Sequence, residues 1–265
     1  MKRLSVLAAV AACLSLSSCS PWDQMASWKK CAVISITGNP VIGKTENTQK
    51  REAGNTLASV KNMVRENGGK ELNHSLQPTL DACATKLAEK LGSVSEIAIM
   101  KSDEVLSNAK YAEMESEVDS KAKTEFGKGL QKSMANWDTR PVTATGYKIL
   151  NADQITQLYP EMGVDGQIAV AINFMYDLQG MGTLGSAKGV AEVTFTAIEK
   201  SEKGTSTYSI SYTGESSDKC DVKSGGFFKG EDMDPLLIQA FEMAVDEFTA
   251  DAAKNLAKAK TKKKS

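Results

Sequence analysis

Histidine is almost missing from this chain: His74 is the only one in 265 residues. A multi-histidine zinc site cannot be built from it, and a histidine-based catalytic triad, which would have to use this one residue, is not expected. His74 lies in a polar stretch and is expected to be a lone exposed side chain. Cysteine is sparse too, at positions 13, 19, 31, 83 and 220, with no C-x-x-C pair and no Cys/His cluster. No metal site is spelled, and none is expected. Neither sign of charge dominates. Lys and Arg number 32 against 33 Asp and Glu, a formal net charge of −1, which does not describe a general nucleic-acid binder. After the first twenty residues, no run is apolar and long enough to span a bilayer.

The chain does have a signal. It opens MKRLSVLAAVAACLSLSSCS. Lys2 and Arg3 form a short positive region, and Leu4 to Leu16 is an apolar core of signal-peptide length. Leu16-Ser17-Ser18-Cys19 follows. An apolar residue, two small residues and a cysteine resemble the lipobox of bacterial lipoproteins. The resemblance implies cleavage before Cys19 and diacylglyceryl transfer to its thiol, usually with acylation (palmitate) of the new amine. Several acyl chains on one residue anchor stably where one would not. Ser rather than Asp at position 20 implies sorting to the outer membrane, with the body in the periplasm or on the outer face. Removing the two positive charges of the signal takes the net charge from −1 to −3.

Two phosphate-binding patterns are present. GNPVIGKT, Gly38 to Thr45, fits G-x-x-x-x-G-K-[ST] and follows the apolar run CAVISIT. A working loop of this kind cradles phosphates with backbone N–H groups and feeds a helix packed on a sheet. Here Pro40 removes one N–H, and the next residues, ENTQKRE, offer nothing apolar to bury. An exported protein also meets essentially no ATP. A Gly/Asn/Pro turn leaving a strand is the expected role, with nucleotide binding through Gly38–Thr45 as the alternative. The run IAVAINFMYD ends in Asp177 and could pass for the acidic strand that accompanies such loops. GMGTLG, Gly180 to Gly185, spells G-x-G-x-x-G, but SAKGVAEVTFTAI after it alternates like a strand. The fingerprint needs a helix there, so a hairpin loop is expected. No cofactor is expected.

Once Cys13 leaves with the signal and Cys19 is lipidated, Cys31, Cys83 and Cys220 remain, enough for one disulfide. Cys83 shares a helical stripe with Leu76, Leu80, Leu87 and Leu91 and is expected to be a buried small hydrophobe. Cys31 opens a strand and Cys220 follows one, so Cys31–Cys220 is the better candidate pair.

The expected organisation is a signal peptide over 1–18, a lipidated tether over 19–30, one α/β domain over 31–257 and a disordered basic tail over 258–265. The tether, SPWDQMASWKK after Cys19, reaches about 36 Å when fully extended. Its Trp22 and Trp28 could rest among lipid headgroups or cap the body's core. Within the domain, Cys31–Thr37 reads as a buried strand, Glu46–Glu66 and Leu76–Leu91 as helices, and Glu96–Met100 as a short strand. A charged helical insertion covers about 102–140, and it is expected to be a solvated outer helix. VTATGYKIL restarts the sheet, and Asn151 or Asp153 caps a helix ending near Met162-Gly163. IMKSDEVL and ILNADQIT share one rhythm: strand end, polar cap, helix start. Gly166–Leu178, Gly189–Lys200 and Ser206–Thr213 form an antiparallel meander. Asp234 and Pro235 open a closing helix with Leu237, Phe241, Ala244, Phe248 and Leu256 on one stripe.

The fold class is therefore α/β (α+β): a two-layer sandwich of a mixed sheet with a C-terminal three-strand meander and helices on one face. The strand CAVISIT, the stretch YKILNADQITQLYPEMGVDGQIAVAI with Gly163-Val164-Asp165 entering a strand, the hairpin and the closing helix resemble a known domain. It is shared by the curli-secretion lipoprotein, the lipoprotein activator of penicillin-binding proteins and the amino-terminal part of TolB. The resemblance covers about Ala144 to Leu256. The insertion departs from that group's compact form. It implies a non-catalytic envelope lipoprotein that binds other envelope proteins in assembly or secretion. An oligomeric secretion-channel subunit and a cell-wall-synthesis activator are alternatives, as is an enzyme in which Asp165, Asp177 and Glu192 would meet.

Overall fold

The computed structural model describes residues 21–53, 74–92, 97–116, 141–179, 185–201, 204–222 and 228–262, with side chains 50–53 and 262 left aside. The chain starts with a short helix, α1 (Pro21–Met25), and enters β1 (Lys30–Gly38). β2 (Gly43–Lys44), α2 (Glu46–Ala53) and α3 (Gln77–Leu91) follow. Next come β3 (Ala98–Ile99), α4 (Ser102–Leu106), α5 (Ala109–Glu113), β4 (Val142–Thr143) and α6 (Ala152–Met162). The last third holds β5 (Gly166–Gln179), β6 (Gly185–Ser201), β7 (Gly204–Glu215), β8 (Cys220–Val222) and the long α7 (Gly230–Lys262).

The strands form one mixed sheet in the order β3-β1-β5-β6-β7, with β2 beside β5, β4 beside β1 and β8 beside β6. β1 and β5 run parallel, from Cys31 opposite Gly166 to Gly38 opposite Ile172. From Cys31 to Gly38 every residue of β1 is buried, as its near-continuous apolar run requires for a strand covered on both faces. β5, β6 and β7 form the expected antiparallel meander, with Gly166 opposite Glu199 and Val190 opposite Glu215. The end where β1 and β5 begin is called proximal below, and the other end distal.

The main helical layer is α3, α7 and α1. Leu76, Leu80, Cys83, Leu87 and Leu91 are all buried, as are Leu237, Phe241, Ala244, Phe248 and Leu256. They meet Ile168, Val170, Ile172, Phe174 and Tyr176, which share one face of β5. Two glycines let α7 lie directly on the sheet. A Cβ on Gly214 would sit 1.9 Å from the Ala240 carbonyl oxygen, and one on Gly189 would sit 2.6 Å from the Leu236 backbone. Phe248 stacks on Phe195 with ring centroids 3.8 Å apart. The α+β sandwich is therefore present.

A second, smaller layer occupies the opposite face near the proximal end, so helices cover both faces of the sheet there and not only the one expected. Val105 of α4, Tyr111 of α5 and Ile155, Leu158, Tyr159 and Met162 of α6 cluster on Ala32, Ile34, Ala169 and Ile198. Small Ala169 on this face of β5 allows the close packing its sequence suggests. α6 starts with a full capping box, Asn151 with Gln154, and ends at Gly163 in the left-handed conformation.

Several local expectations are corrected. The insertion does not begin as one solvated helix: it breaks at Ser107–Asn108, and Tyr111 is 1% exposed. Its later part, 117–140, lies outside the described residues, as do the helix continuation over 54–66 and the GMGTL residues 180–184. Of VTATGYKIL, only Val142 and Thr143 join the sheet. Beyond them, the N–H groups of Lys148 and Ile149 bond to the Tyr111 hydroxyl and the Ser116 hydroxyl instead of to a strand. α7 begins at Gly230, so Asp234 and Pro235 lie inside it. It runs to Lys262, with Ala259 buried, so the basic end begins as helix rather than as a disordered tail. No helix among the described residues is long and apolar enough to cross a membrane.

Candidate functional site

The most informative region is the junction between Cys19 and the body. Cys19 itself lies outside the described residues, which begin at Pro21. Trp22 is 7% exposed and Trp28 is 3% exposed, both within the main core. Trp22 meets Phe248 of α7 with ring centroids 5.6 Å apart. The Trp28 ring lies on Gly166, where a Cβ would come within 2.2 Å of it. Residues 21–30 are therefore not a free tether. Two indole rings need apolar cover, and the groove beside Phe248 and Gly166 provides it. Of the two roles open to these tryptophans, the core takes both.

Asp165 secures the same junction. Its Oδ2 accepts the backbone N–H of Lys29 at 2.7 Å and of Lys30 at 3.0 Å. In return, the Asp165 N–H donates to the Lys30 carbonyl at 2.9 Å. The two N–H donors, Lys29 first, hold the Asp165 carboxyl below its usual range. The Gly-Val-Asp rhythm thus has a local purpose. Gly163 ends α6, Asp165 clamps the start of β1, and Gly166 makes room for Trp28.

At the distal end, GNPVIGKT is absorbed into the sheet. The Asn39 side chain is buried and imitates a strand: its amide nitrogen donates to Phe174 O at 2.7 Å, and its oxygen accepts the Phe174 N–H at 2.8 Å. Gly43 and Lys44 pair with Met175 and Tyr176, and the Thr45 N–H donates to Tyr176 O at 3.1 Å. The Thr45 hydroxyl accepts the Thr48 N–H at the start of α2 and donates to Asp177 Oδ1 at 2.6 Å. The Thr48 hydroxyl is spent between Asp177 and the Leu178 N–H. The sequence thus does make strand, turn and helix, and it brings Asp177 to Thr45. A phosphate cradle needs several N–H groups converging on empty space. Here the Thr45 N–H and the Asn39 amide are committed to β5.

The candidate carboxylates do not converge. Asp165 and Asp177 stand twelve residues apart on the β5 segment, about 40 Å at strand rise. Glu192 is paired opposite Asn173, which donates to it at 3.4 Å. The Cys31–Cys220 pairing is not made either: Cys31, Cys83 and Cys220 are free thiols. Cys31 aligns through Gly166 with Glu199 of β6, and Cys220 aligns with Ala187. That twelve-residue separation on one strand is roughly 40 Å, against the ~7 Å limit for bridged Cα atoms. Burial, and then the Asp165 charge, push the Cys31 thiol up to about 12. Burial raises Cys83 and Cys220 as well.

His74 is not a lone exposed residue. Its Nε2 lies 2.7 Å from Asp234 Oδ2, and the Thr79 hydroxyl donates to Asp234 Oδ1 at 2.8 Å. This ties the chain before α3 to α7. Asp81 does similar work on the other side of α3, accepting the N–H and hydroxyl of Thr145 at 2.7 and 2.8 Å. Nothing in the local sequence marks Asp234 or Asp81 as cross-links, because their partners are 64 to 160 residues away.

No family model matches the chain, and no curated protein matches it. One solved structure, of a hypothetical protein from Chlamydia trachomatis, is similar at 11% identity and a TM-score of 0.33, over 86% of this chain and 96% of that one.

Proposed function

We propose that this protein is a lipid-anchored envelope protein of the bacterial outer membrane. It acts by binding other envelope proteins in assembly or secretion, without chemistry of its own. The observation that carries the reading is the nearness in sequence of LSSC to residues 21–30, whose Trp22 and Trp28 pack into the core. A signal peptide with a lipobox, followed at once by a packed helix, suits a body held at the bilayer by Cys19. The committed N–H and side-chain groups of Gly38–Thr45 weigh against nucleotide as a ligand. The wide spacing of Asp165, Asp177 and Glu192 weighs against a carboxylate active site built from them.

The test has two parts. Cells are fed an alkyne-tagged palmitate, and the protein is isolated. A labelled wild type and an unlabelled Cys19→Ala support the anchor, whereas an unlabelled wild type sinks it. In-cell cross-linking of the wild type follows. A reproducible partner among envelope proteins supports the binding role. A discrete large homo-oligomer would move the reading to a channel subunit.

A further inference from the structure

Charge changes sign along α7. Its middle carries Glu242, Asp246 and Glu247, of which Glu242 and Asp246 pair with Lys86 and Lys90 of α3. After Asp251 the chain has no further acid, but it has lysines at 254, 258, 260, 262, 263 and 264. Lys254 and Lys258 lie one helical turn apart, and both are exposed. Lys254 and Lys258 stand eight and four residues before the end of α7 at Lys262, outside the last turn where the dipole acts.

The fold puts this basic tip at the anchor. Phe248 stacks on Phe195, and Lys262 lies fourteen residues further, about 21 Å along a helix. From Phe195 to the end of β6 at Ser201 is about 20 Å. α7 runs along β6 in the same sense, from Leu236 near Gly189 to Phe248 at Phe195. Its tip therefore reaches the proximal end, where Lys29 is exposed and β1 begins. Trp22 touches Phe248, and Cys19 is two residues before Pro21, at most about 7 Å of chain. With no tether, acyl chains on Cys19 bring the proximal end to the headgroups. Asp23, Asp165 and Glu199 lie there too, but Asp165 is occupied by the Lys29 and Lys30 N–H groups.

We propose that the proximal end, with Lys254 and Lys258 at its tip, is a membrane-apposed surface that binds anionic phospholipid headgroups and fixes the orientation of the body. This rests on the lipid-anchor reading for its location but not for its chemistry. Acyl chains supply the affinity, and the lysines decide which end faces the lipid. Of the acids beside Phe248, Asp246 is paired with Lys90 of α3, and the distal loops are directed outward.

The test uses residues Ser20 to Ser265, the mature chain without Cys19, which includes every described element and carries no acyl group. Its co-sedimentation is measured with vesicles of phosphatidylcholine alone and with added phosphatidylglycerol, at low and high salt. Binding is expected only with the anionic lipid and is expected to be lost at high salt. K254E/K258E should weaken it by roughly tenfold or more. K219E/K229E makes the same charge change at exposed residues on the distal side and should leave most of the binding. Circular dichroism confirms that both variants fold. Equal binding to both vesicle types, or equal loss in both double variants, overturns the proposal. Palmitate labelling of Cys19 reads the anchor separately, so an unlabelled chain that still needs Lys254 and Lys258 would refute the anchor and not this surface.

Discussion

Asp165 and Lys30 hold each other through two hydrogen bonds: the Asp165 carboxylate accepts the Lys30 N–H, and the Lys30 carbonyl accepts the Asp165 N–H. This reciprocal pair joins the start of β1 to the start of β5, 135 residues later. It sets the register of the parallel pair on which the rest of the sheet is built. It also fixes the point at which residues 21–30 enter the sheet.

Asp165→Ala should therefore cost stability, by about 1 kcal/mol, below the usual range for a charged acceptor because the carboxylate is exposed and screened by solvent. The pH dependence has a definite sign. The folded-state pKa is depressed, so the contribution is complete above the ordinary carboxylate range and fades as pH falls through the lower folded value. Urea midpoints at pH 7 and about pH 3 check this. The gap between wild type and variant should narrow at the acid end, and a gap that widens would refute the carboxylate's role.

Gly214 is where the backbones of β7 and α7 come closest. A methyl group there would overlap the Ala240 carbonyl and press on the Ala244 N–H. Neither atom belongs to a flexible side chain, so α7 must move as a body. Gly214→Ala should cost about 3 kcal/mol, the upper range for overpacking. Gly163→Ala provides the contrast: nothing lies within 4 Å of the new methyl. It should cost about 1 kcal/mol, from the left-handed backbone alone. Thermal melts of the pair test the ordering.

The three body thiols should differ in reactivity. Cys31 and Cys83 are 1% and 0% exposed, and burial raises both thiols. Cys220 is half-buried. An aromatic disulfide reagent at pH 8 should consume Cys220 slowly and the other two only on unfolding. A reducing agent should leave the melting temperature unchanged. A non-reducing mass two hydrogens lighter would show a bridge that the described fold does not permit.

Magnesium with ATP or GTP should leave the melting temperature unmoved. A ligand at a thousandfold excess over its Kd adds about 4 kcal/mol of stability. For a body of this size, that is a shift on the order of 10 °C. Lys44→Ala should melt within a degree or so of the wild type in the presence and absence of nucleotide. A clear shift that Lys44→Ala abolishes would restore the phosphate-loop reading.

The parts of this fold visible in the sequence are those carried by periodicity. The α3 and α7 stripes, the meander and the Asn151–Gly163 helix follow from spacing of 3.6 or 2 and from caps, all local signals. What stayed hidden depends on partners far along the chain. TGYKILN has strand composition, yet Tyr111 and Ser116 take its N–H groups, so it never joins a ladder. SPWDQMASWKK is polar enough to read as a linker, yet Phe248 and Gly166, more than a hundred residues on, shape the groove for its tryptophans. Short β2 and β8 have no period to detect. The resemblance of LSSC to a lipobox is carried by sequence alone. The basic tip of α7 is legible as composition, but its place at the proximal end emerges only from the fold.

The clearest single test of that arrangement is Trp22→Ala. If residues 21–30 were a tether, the change would be silent, since an exposed linker residue costs within about 0.5 kcal/mol. In this structure it opens a cavity beside Phe248 and exposes the proximal end of α7. The expected loss is about 3 kcal/mol. Trp22→Phe keeps a ring on Phe248 and should recover more than half of it. Hydrogen exchange should quicken in α1 and the last turns of α7 in Trp22→Ala, while α6 and the opposite layer stay protected. Uniformly faster exchange would mean only that the body is less stable. Wild-type stability in Trp22→Ala would return residues 21–30 to solvent and detach the basic tip from the anchor.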